Sequence, residues 1–588
     1  MNTRPADQLL IAFAQLNPTV GDVAGNAAKV RQARAEAARG DADLVVFPEL
    51  FIAGYPPEDL VLKPAFQAAC RAAAEQLARE TADGGPALLL GTPWVNEGKL
   101  HNALALVDEG AIGALRFKVN LPNYGVFDEK RVFAPGPLPG PLNFRGVRVG
   151  APICEDIWGD DVTECLAETG AELLIVPNGS PYWREKEDVR LNIAVARVSE
   201  TGLPILYVNQ VGGQDELVFD GASFALHADR SLALSLPAFR ETVAVTRWRR
   251  AEKTWRCEGG PFAPPAETGD EADYCACVLG LRDYVDKNGF PGVVLGLSGG
   301  IDSALCAAIA VDALGAERVR GLLLPYKYTS QASLDDAAAL ASALGIRHDV
   351  VPIEAAVAGL ERALAPLIGN LPRDATEENL QARARGTILM GVSNKFGLMV
   401  VTTGNKSEMS VGYATLYGDM NGGFNPIKDI YKVEVYRLAR LRNRWKPDWA
   451  HGPAGAVIPE HTIVRVPSAE LREDQTDQDT LPPYEVLDPI LERLIEREEP
   501  IATIVAAGFD RETVTRIDRM VNLAEYKRRQ APPGVKVTIR NFGRDRRYPI
   551  TNRFRDAGTE VAAGEAGTAR AKAGKRADAG KRAGVVDL

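Results

Sequence analysis

Between residues 9 and 250, short apolar runs rich in β-branched residues alternate with stretches in which alanine and charge recur at helical spacing. The runs at 9–16, 43–48, 87–91, 101–107, 147–153, 173–177, 204–209 and 221–227 predict strands, and 24–39 and 65–80 predict helices. That alternation predicts a layered α/β domain. Proline and glycine crowd residues 251–270, which predicts a linker. A helix over about 271–287 then leads into residues 293–303, VVLGLSGGIDS, and an alanine-rich stretch to 314. This reads as strand, glycine turn and helix. Further apolar runs at 321–325 and 348–353, with a hydroxyl-rich helix start at 328–337 between them, extend the βαβ alternation. The second half is therefore expected to be a parallel, doubly wound sheet with ligands at the carboxyl ends of its strands.

Composition narrows the class. The 588 residues leave room for three or four domains by length. Apolar content of 46% and charged content of 25% are ordinary for a globular protein. A net charge of −10 argues against general affinity for nucleic acid. Seven cysteines without a regular framework fit a reducing cytosol, and Cys275 and Cys277 read as plain thiols in an apolar helix. The five histidines form no ligand-spaced cluster. No apolar run reaches the roughly 18–20 residues of a membrane span. From 556 to 588 the chain is rich in Ala, Gly, Lys and Arg and is expected to be a disordered, solvating tail.

Four places carry candidate chemistry. In the SGGIDS turn, Gly299 and Gly300 can take backbone angles that let the chain curl round an anion, and the helix start that follows favours negative charge. No Walker lysine is present; Asp302 is placed to hold Mg²⁺ on phosphate oxygens. The glycines alone are equally compatible with an ordinary strand–helix turn. In the first half, polar groups follow three strands: Glu49, Lys118 and Cys154. A carboxylate just after a buried strand is expected to be desolvated toward base duty. A cysteine with a glutamate and a lysine at hand has the parts for nucleophilic catalysis, and a nearby ammonium favours its thiolate. Taken singly, each also reads as a cap, a surface charge or a core thiol.

Together the flanks of Glu49, Lys118 and Cys154 resemble the nitrilase (carbon–nitrogen hydrolase) superfamily over about residues 8–250. The resemblance implies an αββα sandwich, with Glu49 as general base, Lys118 as support for the oxyanion and Cys154 as nucleophile. It also implies a glutamine pocket formed by Tyr124, Phe127, Glu129, Ser180 and Lys186. The SGGIDS string resembles the pyrophosphate loop of N-type ATP pyrophosphatases, which transfer AMP to a substrate oxygen. Segments at 376–386, 398–408, 412–432, 468–488 and 525–536 resemble, in order, the synthetase domain of NAD⁺ synthetases.

Over about residues 8–550 the chain thus resembles the bacterial glutamine-dependent family of those enzymes. That implies a glutaminase domain at 1–250, a linker at 251–270 and a synthetase domain at 271–555. Gly296, Leu297, Ser298, Gly299, Gly300, Ile301, Asp302, Ser303 and Thr403 would bind ATP. Asn379, Glu408 and Lys527 would contact deamido-NAD⁺, and Asp302 and Glu408 would hold Mg²⁺, with Asp429 and Lys432 nearby. The implied substrates are glutamine, ATP and deamido-NAD⁺, with no redox cofactor, no nucleic acid and no membrane partner. A homo-oligomer is also implied: a dimer of synthetase domains, extending to an octamer in some relatives.

Overall fold

Alternate residues of the first strand enter two different cores. In the computed structural model, which describes residues 7–252, 254–263, 268–473 and 475–559, Leu9, Ile11 and Phe13 of strand Gln8–Gln15 face one cluster and Ala12 and Ala14 another. The period-2 geometry of a strand buried on both faces requires this. The chain divides into two compact units, one ending and the next beginning near residues 267 and 268.

The first unit holds a seven-stranded and a six-stranded sheet. Leu9, Leu44 and Leu89 of one meet Val149, Leu173, Ile175 and Leu206 of the other in a shared core. Helices Val23–Arg39 and Pro64–Glu80 cover the outer face of the first sheet. Asp161–Glu168 and Lys186–Thr201 cover that of the second. This is the expected αββα sandwich.

Several predicted boundaries move. The 147–153 run is a strand only over Val147–Gly150, because Pro152 removes a ladder donor. The 221–227 run is a strand only over Phe224–Leu226, because Gly221 and Ala222 take positive φ, and a separate strand, Leu217–Asp220, precedes it. Strands Ala111–Phe117, Leu142–Phe144 and Thr242–Ala251 were absent from the sequence reading. The start of the predicted linker also differs. Thr254–Cys257 is a strand paired with Thr242–Ala251, and its Trp255 is buried in the inter-sheet core.

The second unit contains a four-stranded, all-parallel sheet in the order Arg347–Val350, Val319–Leu323, Val293–Gly296, Met399–Val400. Helices Ile301–Leu314 and Ala375–Phe396 both pack on the central Val293–Gly296 strand. Cys275 and Cys277 are buried within helix Asp270–Lys287. A helical cluster unforeseen from sequence follows: Tyr484–Ile495, Ile501–Ala506 and Arg511–Leu523 share one core. Length had left room for more domains; two units account for the described residues. The expected tail lies, from residue 560 on, outside the described residues. No helix among the described residues is long and apolar enough to cross a membrane.

Candidate active sites

Glu49 follows strand Leu44–Val46, on a turn that its neighbour strand admits only because Gly91 has no side chain. A Cβ there would lie 2.4 Å from Leu50 N. Lys118 ends strand Ala111–Phe117, its N–H donating to Asn102 O (2.9 Å). Cys154 opens the short turn Cys154–Ile157 and takes φ +47°, a conformation that costs a non-glycine residue about 1–3 kcal/mol. All three are buried.

The Lys118 ammonium lies between two carboxylates: Nζ is 2.6 Å from Glu49 Oε1 and 2.9 Å from Glu129 Oε1. Glu49 also accepts from Asn102 Nδ2 (2.7 Å) and from the Gly179 N–H (3.0 Å). Glu129 accepts from Tyr55 OH (2.7 Å), while its Oε2 is buried with no hydrogen-bond partner among the described residues. Burial opposes the Lys118 charge, but Glu129 and then Glu49 outweigh it and hold the ammonium well above its ordinary pKa.

This arrangement corrects the expectation of a resting thiolate. Burial first, and then the charge of Glu49, push the Cys154 thiol well above its usual pKa, with Lys118 pulling the other way. Burial and the Glu49 charge thus favour the protonated thiol over the thiolate.

The expected glutamine-pocket residues gather beside the cysteine. Tyr124 stacks edge-on against Phe127 (5.7 Å) and donates to Glu155 (2.9 Å). Lys186, within a charged run, is buried, its Nζ 4.2 Å from the Trp158 ring and 5.3 Å from that of Trp183. Burial, and then Arg190, lower its pKa to about 7; burial raises that of Glu155 to about 7. Ser180 is buried as well, its Oγ accepting from Arg190 Nε (3.0 Å). Sequence reading missed Tyr55, Asn102, Glu155 and Asp156. Asn102 had a visible signal, an amide inside an otherwise apolar run.

Removing the lysine isolates two buried carboxylates. Lys118→Met is expected to destabilise the first unit by about 3–5 kcal/mol. Denaturant unfolding followed by tryptophan fluorescence measures it, since five of the seven tryptophans (94, 158, 183, 248 and 255) lie in that unit.

In the second unit the glycine loop lines a cavity of about 310 Å³. Gly296 to Ser303, Thr403 and Glu408 all line it. Gly299 has φ +79°, and a Cβ there would fall 2.3 Å from Ser333 O; Gly300 has φ −86°, and its Cβ would meet only Ser298 Oγ at 3.2 Å. Gly299→Ala is therefore expected to lower kcat/KM for ATP at least about tenfold, and Gly300→Ala by clearly less. Steady-state kinetics with ATP varied compares the two.

Opposite the loop, Lys432 Nζ is 2.5 Å from Asp302 Oδ2 and 3.5 Å from Glu408 Oε1. Asn405 Nδ2 donates to Asp302 Oδ1 (2.9 Å), and Asn405 caps the helix that carries Glu408. Burial, and then the Asp302 charge, raise the Glu408 pKa. Two carboxylates meeting at one cation suit a hard divalent ion completed by phosphate oxygens.

Asn379 and Lys527 lie outside the cavity lining. Asn379 accepts from Thr415 Oγ1 (2.8 Å), and Lys527 Nζ donates to Gly412 O (2.7 Å) and Ala414 O (2.6 Å). Both hold one loop, whose Tyr413 and Ala414 do line the cavity. Asp429 is also elsewhere, paired with buried Lys406 (2.8 Å). Arg385 and Asp477 line the cavity and were not foreseen.

One unit thus gathers a buried glutamate, lysine and cysteine, and the other a glycine-loop cavity with paired carboxylates. Residues 10–253 match the carbon–nitrogen hydrolase family model and 274–531 the NAD synthase model. The glutamine-dependent NAD(+) synthetase of Rhodobacter capsulatus is 54% identical over 94% of this chain and 99% of its own, and that of Thermotoga maritima 43% over 93% and 99%. A solved glutamine-dependent NAD⁺ synthetase from Acinetobacter baumannii, in complex with ADP, superposes with a TM-score of 0.74 at 43% identity, covering 93% of this chain and 99% of its own. The chain belongs to the glutamine-dependent NAD(+) synthetases.

Proposed function

We propose that Glu49, Lys118 and Cys154 release ammonia from glutamine and that the cavity behind the glycine loop uses it to amidate deamido-NAD⁺. The observation carrying this reading is the buried Lys118 held between Glu49 and Glu129, in the same buried cluster as Cys154. Glu49 takes the thiol proton as Sγ attacks the carboxamide carbon, and the Lys118 ammonium faces the developing oxyanion. The proton passes to the departing nitrogen, and NH₃ leaves a γ-glutamyl thioester. Glu49 then takes a proton from water, glutamate is released and the thiol is restored. Tyr124, Phe127, Glu129, Ser180 and Lys186 surround the glutamine.

In the second unit, residues 296–303 and Thr403 cradle the ATP phosphates. Asp302 and Glu408 would hold Mg²⁺, which neutralises phosphate charge when bound. The nicotinate carboxylate attacks the α-phosphorus and pyrophosphate leaves; NH₃ then attacks the acyl-adenylate and AMP leaves. Glu408 faces the dinucleotide directly, and Asn379 and Lys527 act on it through the 412–415 loop. At neutral pH free ammonia is mostly NH₄⁺, so delivery of NH₃ within the protein keeps the nucleophile unprotonated. We assign 1–250 to the glutaminase and 271–555 to the synthetase, in a cytoplasmic homo-oligomer.

The test is NAD⁺ formation from deamido-NAD⁺ and Mg-ATP, with glutamine or ammonium as nitrogen source. Formation with both supports the reading. No NAD⁺ from either would mean that another nucleotide is the acceptor.

A further inference from the structure

Asp156 is buried, and its carboxylate spends both oxygens on backbone N–H groups from two separate segments. Oδ1 accepts from Val119 N (3.0 Å) and Asn120 N (2.7 Å). Oδ2 accepts from Ile153 N (2.9 Å). The first two donors follow Lys118 directly, and the third precedes Cys154 directly. One side chain therefore joins the backbone beside the ammonium to the backbone beside the nucleophile. Neither segment supplies those N–H groups with a strand partner, since the strands end at Phe117 and Gly150. Without the clamp, the buried Ile153 N–H and the half-buried N–H groups of Val119 and Asn120 lose their acceptor. The positive φ of Cys154 also needs outside support, and the Ile153 contact is immediately upstream of it.

We propose that Asp156 is a positioning residue of the glutaminase, setting the distance and angle between Cys154 and Lys118. The proposal rests on the reading of Glu49, Lys118 and Cys154 as the glutamine-hydrolysing triad. Asp156 itself touches no reacting atom. Its contribution is to keep the lysine and cysteine within the narrow geometry that attack on a carboxamide demands. Asparagine cannot replace it. The amide oxygen can still accept from Val119 and Asn120, but the amide NH₂ then faces the Ile153 N–H, donor against donor. The lysine side of the clamp survives and the cysteine side opens.

Full-length Asp156→Asn, Asp156→Ser and Cys154→Ala are compared with wild type for glutamine kcat and KM, for ammonium-driven NAD⁺ formation and for the rate of Cys154 alkylation by iodoacetamide. Asp156→Asn is expected to lower kcat for glutamine at least a hundredfold, with KM within about threefold and ammonium-driven synthesis retained. Alkylation of Cys154 should slow or accelerate at least fivefold, because its angle to Glu49 and Lys118 changes. A kcat within threefold of wild type in a folded variant overturns the proposal, as does a loss confined to KM. Should Asp156→Asn not fold, Asp156→Ser, which leaves room for water at the donors, decides by the same limits. Cys154→Ala separates the two readings. If it still hydrolyses glutamine, the triad assignment fails; if it is inactive while Asp156→Asn is normal, only the positioning role fails.

Discussion

Cys154→Ala loses glutamine-driven NAD⁺ formation by at least about 10⁴-fold and keeps the ammonium-driven reaction. The expectation follows from the separation of the two chemistries. Alanine removes the only atom that can form the thioester, and neither Glu49 nor Lys118 offers a substitute nucleophile. On the proposed reading the ammonium reaction needs none of these groups, because its reacting atoms are assigned to the second unit, whose glycine loop lines a cavity. Alanine is close to the volume of the buried thiol and relieves no hydrogen bond within the Glu49–Lys118–Glu129 cluster, so the surrounding geometry should persist. The measurement is NAD⁺ formed per enzyme with each nitrogen source at matched nucleotide concentrations. Equal loss with both would mean that Cys154 acts on the synthetase step and not on glutamine.

Asp302→Asn is expected to fail with both nitrogen sources, by about 10³-fold. The substitution preserves shape, so it tests charge. In the native cavity the Lys432 ammonium is shared between Asp302 at 2.5 Å and Glu408 at 3.5 Å. With an amide in place of Asp302, Lys432 turns to Glu408 alone, and the pair that suits a divalent cation becomes a single carboxylate already engaged. On the proposed reading, ATP phosphates held there would then lose the charge that balances the departing pyrophosphate. Release of pyrophosphate, followed with glutamine and with ammonium, should fall in parallel. A loss seen only with glutamine would remove Asp302 from the ATP site.

The stretches that carry chemistry were legible because each is local. VVLGLSGGIDS contains its own strand, turn and helix start, and a reader needs no distant residue to see where an anion fits. The ends of the 43–48 and 147–153 runs likewise marked where Glu49 and Cys154 leave the sheet. Less was legible where the pattern is weak or the partner is remote. Strand Ala111–Phe117 is mostly half-buried and lacks clean alternation, so periodicity did not reveal it. The helices after residue 484 pack on one another in a core that no motif announces.

What the sequence by itself determined is the family and the α/β plan of both halves, with candidate groups at three polar strand ends and one glycine turn. Only the tertiary structure decided their charge states and partners. Lys118 meets Glu129 eleven residues away and Glu49 sixty-nine away, and burial, then the Glu49 charge, raise the pKa of the Cys154 thiol where sequence suggested a thiolate. Lys432 reaches Asp302 across 130 residues, and Asn379 and Lys527 converge on one loop beside the cavity and not on the cavity itself. The physical reason is range. Periodicity and turn chemistry act over a few residues, whereas burial and Coulomb interaction depend on which segments the fold brings within a few ångströms.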